Sequence, residues 1–577
     1  MLYAVSALLT ALICGPLFDD HLLYRDAVAT PRFPLVAAAF GIDGAPPRAV
    51  PQDAFLALTS RLVDGGWLVA SLTALALFAA GVGYGRLALR LVPSAGRAGA
   101  TAAATVGIWN PFVAERLLQG HWSLLAGYAA LGWVVPAVLD LTRAPTRRRW
   151  AALAGIFAAG GLTPTGSVLV VIVAAVVAAA ARLPRRRVAV AALCWLATAS
   201  PWLVGAALAT GTGSSGGAAV FALRAEPWLG TVGTAPGLGG IWNADAVPAS
   251  RQGPWALVAT ACLLLIVAVG TRRLLRHGTR PATVERAVVR ALAGLAVVVV
   301  VLVIAAATPP GLVLVEALLR DVPGAGLFRD TQKYLAPAVP FAALAAAGAV
   351  DAFRRSVPAG FAAAAVVALI VAPLPDLAWG VGGRIAPVAY PGDYAQVTAL
   401  IGDDADGASG AVAVWPADAV RRLSWTTGPS LTPLPRLLDA PVVVSGELTV
   451  DGRTVDGPTG RTAEIVEALR AGGDPRILAE SGVGWVVVEE ADPPPLLAES
   501  GPPVMRGPHL SVWRIDGAQP FPEPSVAAWA MSVTAHMLWL GALLGGIGAL
   551  LGAGTTSIRA GFARWSPRRH AGAPPPR

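Results

Sequence analysis

The chain has 577 residues, 55 % of them hydrophobic and only 14 % charged, with a formal net charge of +9 and a mean hydropathy of +0.62. Soluble globular chains carry about 25 % charged residues, so this composition excludes an ordinary soluble protein. The basic balance does not indicate a nucleic-acid partner, because the arginines are spread through loops between apolar runs rather than gathered into one patch.

Apolar runs fall at about 2–18, 66–91, 98–110, 121–141, 150–163, 167–181, 188–209, 254–271, 287–308, 333–350, 358–374 and 526–554. Arginine clusters occupy every second loop: Arg86/Arg90/Arg97, Arg143/Arg147/Arg148/Arg149, Arg182/Arg185/Arg186/Arg187, Arg272/Arg273/Arg276/Arg280, Arg354/Arg355 and Arg559/Arg564/Arg568/Arg569. Short loops rich in Lys and Arg stay on the cytoplasmic side. The pattern therefore predicts a mainly α membrane protein of about twelve transmembrane helices in the plasma membrane, with both termini cytoplasmic and the other loops outside. The first run lacks a basic start and a small-x-small cleavage site, so it reads as a retained span. Cys14, Cys194 and Cys262 all lie in apolar runs, which offers no disulfide framework. The glycines of Gly81-Val82-Gly83-Tyr84-Gly85 lie inside an apolar run and read as close helix packing, not as a nucleotide loop.

Two hairpins are too short to span. Between Arg97 and Asn110 there is room for only about 20 Å of helix, and Arg149 to Arg182 must hold two helices and the turn Thr163-Pro164-Thr165-Gly166. Polar backbone at membrane depth is tolerated only where protein buries it or a wet cavity receives it. An outward-open recess bounded by these hairpins follows.

Three outer segments are long. Residues 19–65 contain Pro51–Val63, with apolar positions at helical spacing, an expected interfacial helix. Residues 210–253 read as a loop with no obvious core. Residues 375–525 alternate β-rich runs (Ala411–Trp415, Pro441–Ser445, Trp485–Val488, Leu510–Ile515) with a helix at Thr462–Ala471, one small periplasmic α/β domain. The expected organisation is a transmembrane domain over 1–374, that domain over 375–525, a last transmembrane helix at 526–554 and a basic, Pro-rich cytoplasmic tail over 555–577, disordered beyond Pro567.

Ionisable residues of the outer loops carry the candidate chemistry. Asp20 and Asp26 follow the first span, where a carboxylate could take a proton from a sugar hydroxyl; solvation alone also leaves acids at span ends. Asp53 opens the interfacial helix and suits an ordinary N-terminal carboxylate equally well. Glu115, Arg116 and His121 lie in the inferred recess, where Arg and His suit phosphate; a self-neutralising Glu115–Arg116 pair is the plainer alternative. Lys333 is the only lysine among 44 Lys and Arg residues. With Arg329 four positions earlier it would share one helix face, and a phosphate could sit between them. Asp403–Asp406 could hold a divalent cation or simply form a solvated turn. No HExxH, Walker A or serine-nucleophile elbow is present.

Several strings resemble the GT-C glycosyltransferases, and more narrowly the actinobacterial polyprenyl-phosphate-dependent arabinofuranosyltransferases. They are Tyr24-Arg25-Asp26-Ala27-Val28, Pro47-Arg48-Ala49-Val50-Pro51-Gln52-Asp53, and Asn110-Pro111-Phe112-Val113-Ala114-Glu115-Arg116-Leu117-Leu118-Gln119-Gly120-His121-Trp122. Gly240-Ile241-Trp242-Asn243-Ala244-Asp245 and Arg329-Asp330-Thr331-Gln332-Lys333 extend the likeness over most of 1–350. The resemblance implies a GT-C-like fold, a polyprenyl-phosphate-linked sugar donor, a cell-envelope glycan acceptor and inverting transfer at the outer face. It also implies a base carboxylate in the first outer loop, matched best by Asp26 and next by Asp20. Arg116, His121, Arg329 and Lys333 then bind the donor phosphate, with Asp53, Glu115, Asn243, Asp245 and Asp330 as further candidates. The carboxylates do not form an Asp-x-Asp pattern, which leaves no certain cofactor and a divalent cation open. A non-catalytic scaffold of the same fold, or a lipid-linked-sugar translocase, is the alternative; clustering of charge on the outer side favours the enzyme.

Overall fold

The computed structural model describes residues 1–210, 217–276, 283–402, 410–450, 452–472, 474–497 and 500–563. All twelve apolar runs form helices. Seven are long and apolar enough to cross a bilayer: Gly65–Leu91, Leu124–Arg143, Arg185–Leu208, Trp255–Leu275, Thr283–Ala306, Thr331–Phe353 and Val526–Leu551. Shorter helices at Leu2–Cys14, Gly96–Ile108, Arg147–Gly160, Pro164–Ala180 and Ala359–Val371 occupy the other five runs. The expected Pro51–Val63 helix is realised as Gln52–Thr59.

Three helices start with a polar cap followed by proline: Asn110-Pro111, Thr163-Pro164 and Thr308-Pro309. In each the cap side chain accepts a backbone N–H of the first turn. Proline at the first helical position forfeits only an N–H that has no intrahelical partner, so each turn begins its helix sharply. The Thr331–Phe353 segment is the centre of the bundle, with 94 % of its apolar window buried, against 17 % for Val526–Leu551 at the rim. Glycine sets the closest approaches. A methyl group on Gly81 would lie 2.4 Å from Ile108, on Gly83 2.5 Å from Trp133, and on Gly85 2.3 Å from Leu2, so one helix packs against three neighbours through its glycines.

The soluble part is built on a five-stranded mixed sheet. Its strands are β3 (Ala411–Trp415), β6 (Val442–Val443), β9 (Val483–Glu489), β10 (Met505–Arg506) and β11 (Leu510–Arg514), in the order β10-β11-β9-β3-β6. The β3/β6 and β3/β9 pairs are parallel, and β9/β11 and β10/β11 are antiparallel. All seven residues of β9 are buried, because helix Gly460–Ala471 covers one face and Gly392–Gly402 the other. Small hairpins flank it: β4 (Val420–Arg421) with β5 (Ser430–Leu431), and β7 (Leu448–Val450) with β8 (Arg453–Val455). A further hairpin, β1 (Leu23–Tyr24) with β2 (Ala27–Val28), stands in the first outer loop. Leu377, Val381 and Ile385 pack into the helical core, so the sheet's own cores begin near Tyr390.

Two expectations need correction. Residues 217–253 are not a coreless loop: Leu223, Leu238, Ile241 and Val247 are buried, around a wholly buried Glu226–Arg251 ion pair. Sequence hydropathy missed this because the core is shared with the helices rather than local. Arg329 and Lys333 do not share an α-helical face either, since Ala325–Phe328 and Thr331–Ala338 are 3-10 turns. Asp403–Asp406 and the tail beyond Pro567 lie outside the described residues.

The helix pair Arg147–Gly160 and Val526–Ala563 meets at Gly155 and Gly546, where a methyl group on Gly155 would sit 2.5 Å from the Gly546 Cα. Gly155→Val should push these backbones apart, a strain of about 1–3 kcal/mol, and lower the melting temperature in detergent by a few degrees. Gly294→Val, where nothing lies within 4 Å, should leave it unchanged.

Candidate active site

The helix Pro111–Leu118 is buried along its whole length, and it anchors the site. Its successive residues Glu115 and Arg116 do not neutralise each other. Arg116, with no exposed surface, forms a bidentate pair with Asp330, Nη1 to Oδ2 at 2.7 Å and Nη2 to Oδ1 at 3.2 Å. The same guanidinium donates to Gln332 Oε1 and, at 3.0 Å, to His121 Nδ1. Glu115 accepts from the N–H groups of Gly240 (3.0 Å) and Ile241 (3.1 Å) and from Gln332 Nε2 (3.0 Å). Its carboxylate thereby ties residues 240–241 to the 3-10 turn at Thr331–Ala338.

His121 carries the network to the first outer loop. An arginine can only donate, so His121 Nδ1 accepts and the ring proton resides on Nε2. From there it is donated to Asp26 Oδ2, 2.8 Å away. Asp26 Oδ2 also accepts from Gln119 Nε2 at 3.3 Å, and Gln119 Oε1 accepts from Asn243 Nδ2 at 2.8 Å. No hydrogen bond reaches Asp26 Oδ1 from the described residues, and the side chain is 40 % exposed. Burial among surrounding protein raises the Asp26 pKa, but His121, Gln119 and the Lys333 charge together hold it below the usual aspartate value. Burial and Lys333 lower the His121 pKa against the opposing pull of Asp26, which keeps the imidazole neutral near pH 7. For Asp330 burial acts upward, yet Arg116 and Lys333 hold the carboxyl far below its ordinary range. Lys333 Nζ lies 3.7 Å from Asp330 Oδ2.

Asp26 sits at the tip of the β1–β2 hairpin, where Leu23 faces Val28 and Tyr24 faces Ala27. The tip is gripped from two sides. Arg25 N–H donates to Pro429 O (2.7 Å) and Leu431 N–H to Arg25 O (3.0 Å), while Asp26 N–H donates to Gln119 O (3.2 Å). These bonds hold Arg25 at φ +52°, a region costly for a side chain with Cβ and maintained only where the surroundings over-determine it. Gly120, at φ +83°, allows the close approach: a methyl group there would lie 2.3 Å from Ala27 N and 2.8 Å from Tyr24 O.

The expected residues thus divide. Asp26, Glu115, Arg116, His121, Asn243, Asp330 and Lys333 form one connected group. Asp20 belongs to another cluster, in which His21 bridges Asp20 (2.6 Å) and Asp64 (3.2 Å). Asp53 pairs with Arg436 at 3.1 Å. Arg329 pairs with Asp456 at 2.5 Å and lies over the Phe221 ring. Asp245 is exposed and takes part through its backbone, its carbonyl accepting from Arg25 and Arg384 and its N–H donating to Asn243 Oδ1 at 3.1 Å. Arg116 is enclosed, and its two Nη groups are taken by Asp330, Gln332 and His121 while its buried Nε has no partner among the described residues, so it can support a phosphate site but cannot touch one in this arrangement. Gln119, Gly120 and Gln332 carried no assigned role in the sequence reading, although each lies beside a residue that did. The contact with residues 429–431 had no sequence signal at all. Among the described residues no group of three or more His, Cys, Asp or Glu is placed to hold a metal ion.

Two cryo-EM structures of the arabinofuranosyltransferase AftD from Mycobacteria, the second of a mutant, share this architecture. The first aligns with a TM-score of 0.55 at 19 % identity, covering 91 % of this chain and 40 % of that one. The second gives a TM-score of 0.51 at 19 % identity, with 90 % and 41 % covered. The chain has a GT-C-like, arabinofuranosyltransferase-like fold. It spans about 40 % of the AftD chain's length. No protein-family model and no curated protein sequence matches it. The fold and the seven apolar helices together make this an integral membrane protein.

Gly120→Ala should drive the hairpin tip off Gln119 and break the Asp26–His121 contact. Hydrogen exchange at the Asp26 and Ala27 amides should then accelerate in the detergent-solubilised protein. Gly326→Ala, with open space around it, is the control and should leave that exchange as it is.

Proposed function

We propose that the protein is a membrane glycosyltransferase that moves a sugar from a polyprenyl-phosphate donor to a cell-envelope glycan at the outer face. The observation that carries this reading is the accessible Asp26 carboxylate, oriented by His121 and Gln119 and placed within the electrostatic reach of Lys333. Asp26 Oδ1 accepts the proton of the acceptor hydroxyl as that oxygen attacks the anomeric carbon, and the sugar–phosphate bond breaks with its electron pair leaving on the lipid phosphate. Lys333 stabilises the charge gathering on that phosphate, the usual largest electrostatic contribution in such transfers. Arg116 keeps Asp330 and His121 in register rather than meeting the donor. The helices of the twelve apolar runs form the transmembrane domain, the short ones ending below the outer surface, both termini lie in the cytoplasm, and residues 375–525 are periplasmic, where the sheet guides the acceptor toward the hairpin it grips.

Asp26→Asn preserves size but removes the base and should lower the rate of sugar transfer from a polyprenyl-phosphate donor by about 10²–10⁴-fold. Lys333→Ala should weaken donor use, with Lys333→Arg restoring only part, because a planar guanidinium does not replace a compact ammonium. Glycan profiling of a deletion strain complemented with each variant reads the same effects in cells. Full complementation by Asp26→Asn would favour the scaffold reading.

The pH dependence follows from the lowered Asp26 pKa. The active form is the carboxylate, so activity should persist below the ordinary aspartate pKa and fall only as pH drops through the depressed value. His121→Phe removes a hydrogen bond that favours the charged form, leaves burial to act upward, and should move the acid limb of the rate profile to higher pH.

The topology is tested separately. Arg476, with 86 % of its side chain exposed, replaced by cysteine in a cysteine-free background should react with a membrane-impermeant thiol reagent in intact cells. Labelling only after lysis would place the sheet inside.

A further inference from the structure

The helix Pro309–Asp321 follows the Thr283–Ala306 span after a break of two residues. Thr308 caps it by accepting the Gly311 N–H, and Gly311 fits so closely that a methyl group there would lie 1.9 Å from Ala305 O. The chain therefore turns sharply at the end of the span. One face of the new helix packs on other chain segments: Leu312, Val315 and Leu319 meet Ala218 and Ala325, and Glu316 accepts the Ala218 N–H. The opposite face is apolar and uncovered, with Val313 and Leu314 each 71 % exposed and Leu318 beside them. Its charged residues Arg320 and Asp321 wait until the last turn.

This uncovered strip has two neighbours. At one end is the preceding span, which leaves Val297, Val301 and Leu302 exposed. At the other end it passes through Val322 to Phe328, which is 41 % exposed, stacks on Tyr334 and directly precedes Arg329. A helix that follows an apolar span after two residues, with one face against protein and the opposite face apolar and exposed, satisfies both faces in the plane of the headgroup–acyl boundary.

We propose that Pro309–Asp321 is an interfacial helix that inserts Val313, Leu314 and Leu318 into the outer leaflet and forms the sill over which a lipid-borne anionic substrate reaches Lys333. The bilayer is its partner. The substrate part of this statement rests on the function proposed above; the membrane contact does not.

The contact is tested without any activity. Leu314→Cys and, as a control, Arg320→Cys are made in a cysteine-free background, labelled with an environment-sensitive fluorophore and reconstituted into phosphatidylethanolamine/phosphatidylglycerol vesicles. The label at 314 should be blue-shifted and quenched by a lipid carrying a nitroxide near the headgroup, with little quenching by aqueous iodide; the label at 320 should show the reverse. Iodide quenching at both positions would overturn the proposal. So would a blue shift at 314 that lipid nitroxide leaves untouched and that depends on the protein-to-lipid ratio, since that would identify a second copy of the chain as the partner. The sill role is read from Leu314→Glu. The rate with a long-chain polyprenyl-phosphate donor should fall by about tenfold, while the rate with a short, water-soluble donor of the same headgroup stays unchanged. Equal losses with both donors would refute the sill, and no transfer by the unaltered protein with either donor would count against the proposed function while the quenching result still decides the membrane contact.

Discussion

Almost everything in the candidate site depends on one buried ion pair, Arg116 with Asp330. Neither side chain is more than 7 % exposed, and their two hydrogen bonds join positions 214 apart in sequence. An enclosed guanidinium is costly unless its donors are satisfied, and removing one partner of such a pair typically destabilises by about 3–5 kcal/mol. Here the demand organises the surroundings. Asp330 takes two donors, Gln332 and His121 take others, and Gln332 in turn meets Glu115. With both Nη groups engaged, though the buried Nε is not, the network admits few alternative arrangements, so His121 is held with one tautomer and one direction, toward Asp26.

The second constraint is the double grip on the β1–β2 hairpin. One side is the turn after the buried helix, with Gln119 and Gly120; the other is the strand around Ser430 in the soluble part. The carboxylate at the tip is thereby positioned by both halves of the molecule at once. That coupling gives the sheet a part in the site beyond any contact with an acceptor, because displacing residues 429–431 would release Arg25 from its left-handed conformation and carry Asp26 with it. The buried Glu226–Arg251 pair does comparable work within residues 217–253, lying against Gly239, next to the Gly240 whose N–H is offered to Glu115.

A membrane setting makes these arrangements stricter. Polar backbone below the headgroups must find partners within the protein, and the short Gly96–Ile108 helix brings Asn110 and its neighbours into just that demand. Asn110 answers by capping the next helix and by donating to Val106 O and Tyr128 Oη.

The sequence alone determined the class of molecule and much of its layout. Hydropathy and helical length are local properties, so each apolar run is a helix, and the β-rich runs after residue 410 lie on or beside the strands of one sheet. Residue chemistry was also legible: Asp26, Glu115, Arg116, His121, Asp330 and Lys333 stood out because charged groups among apolar runs need a reason. Tertiary structure alone decided which of these meet. Hydrogen bonds are short-ranged and directional, and the partners of Arg116, Glu115 and Asp26 come from segments separated by between about one hundred and two hundred residues. For that reason Asp20, Asp53 and Arg329, equally plausible by composition, are bound up in ion pairs elsewhere. Gln119 and Gly120, which composition does not mark, turn out to hold the carboxylate in place.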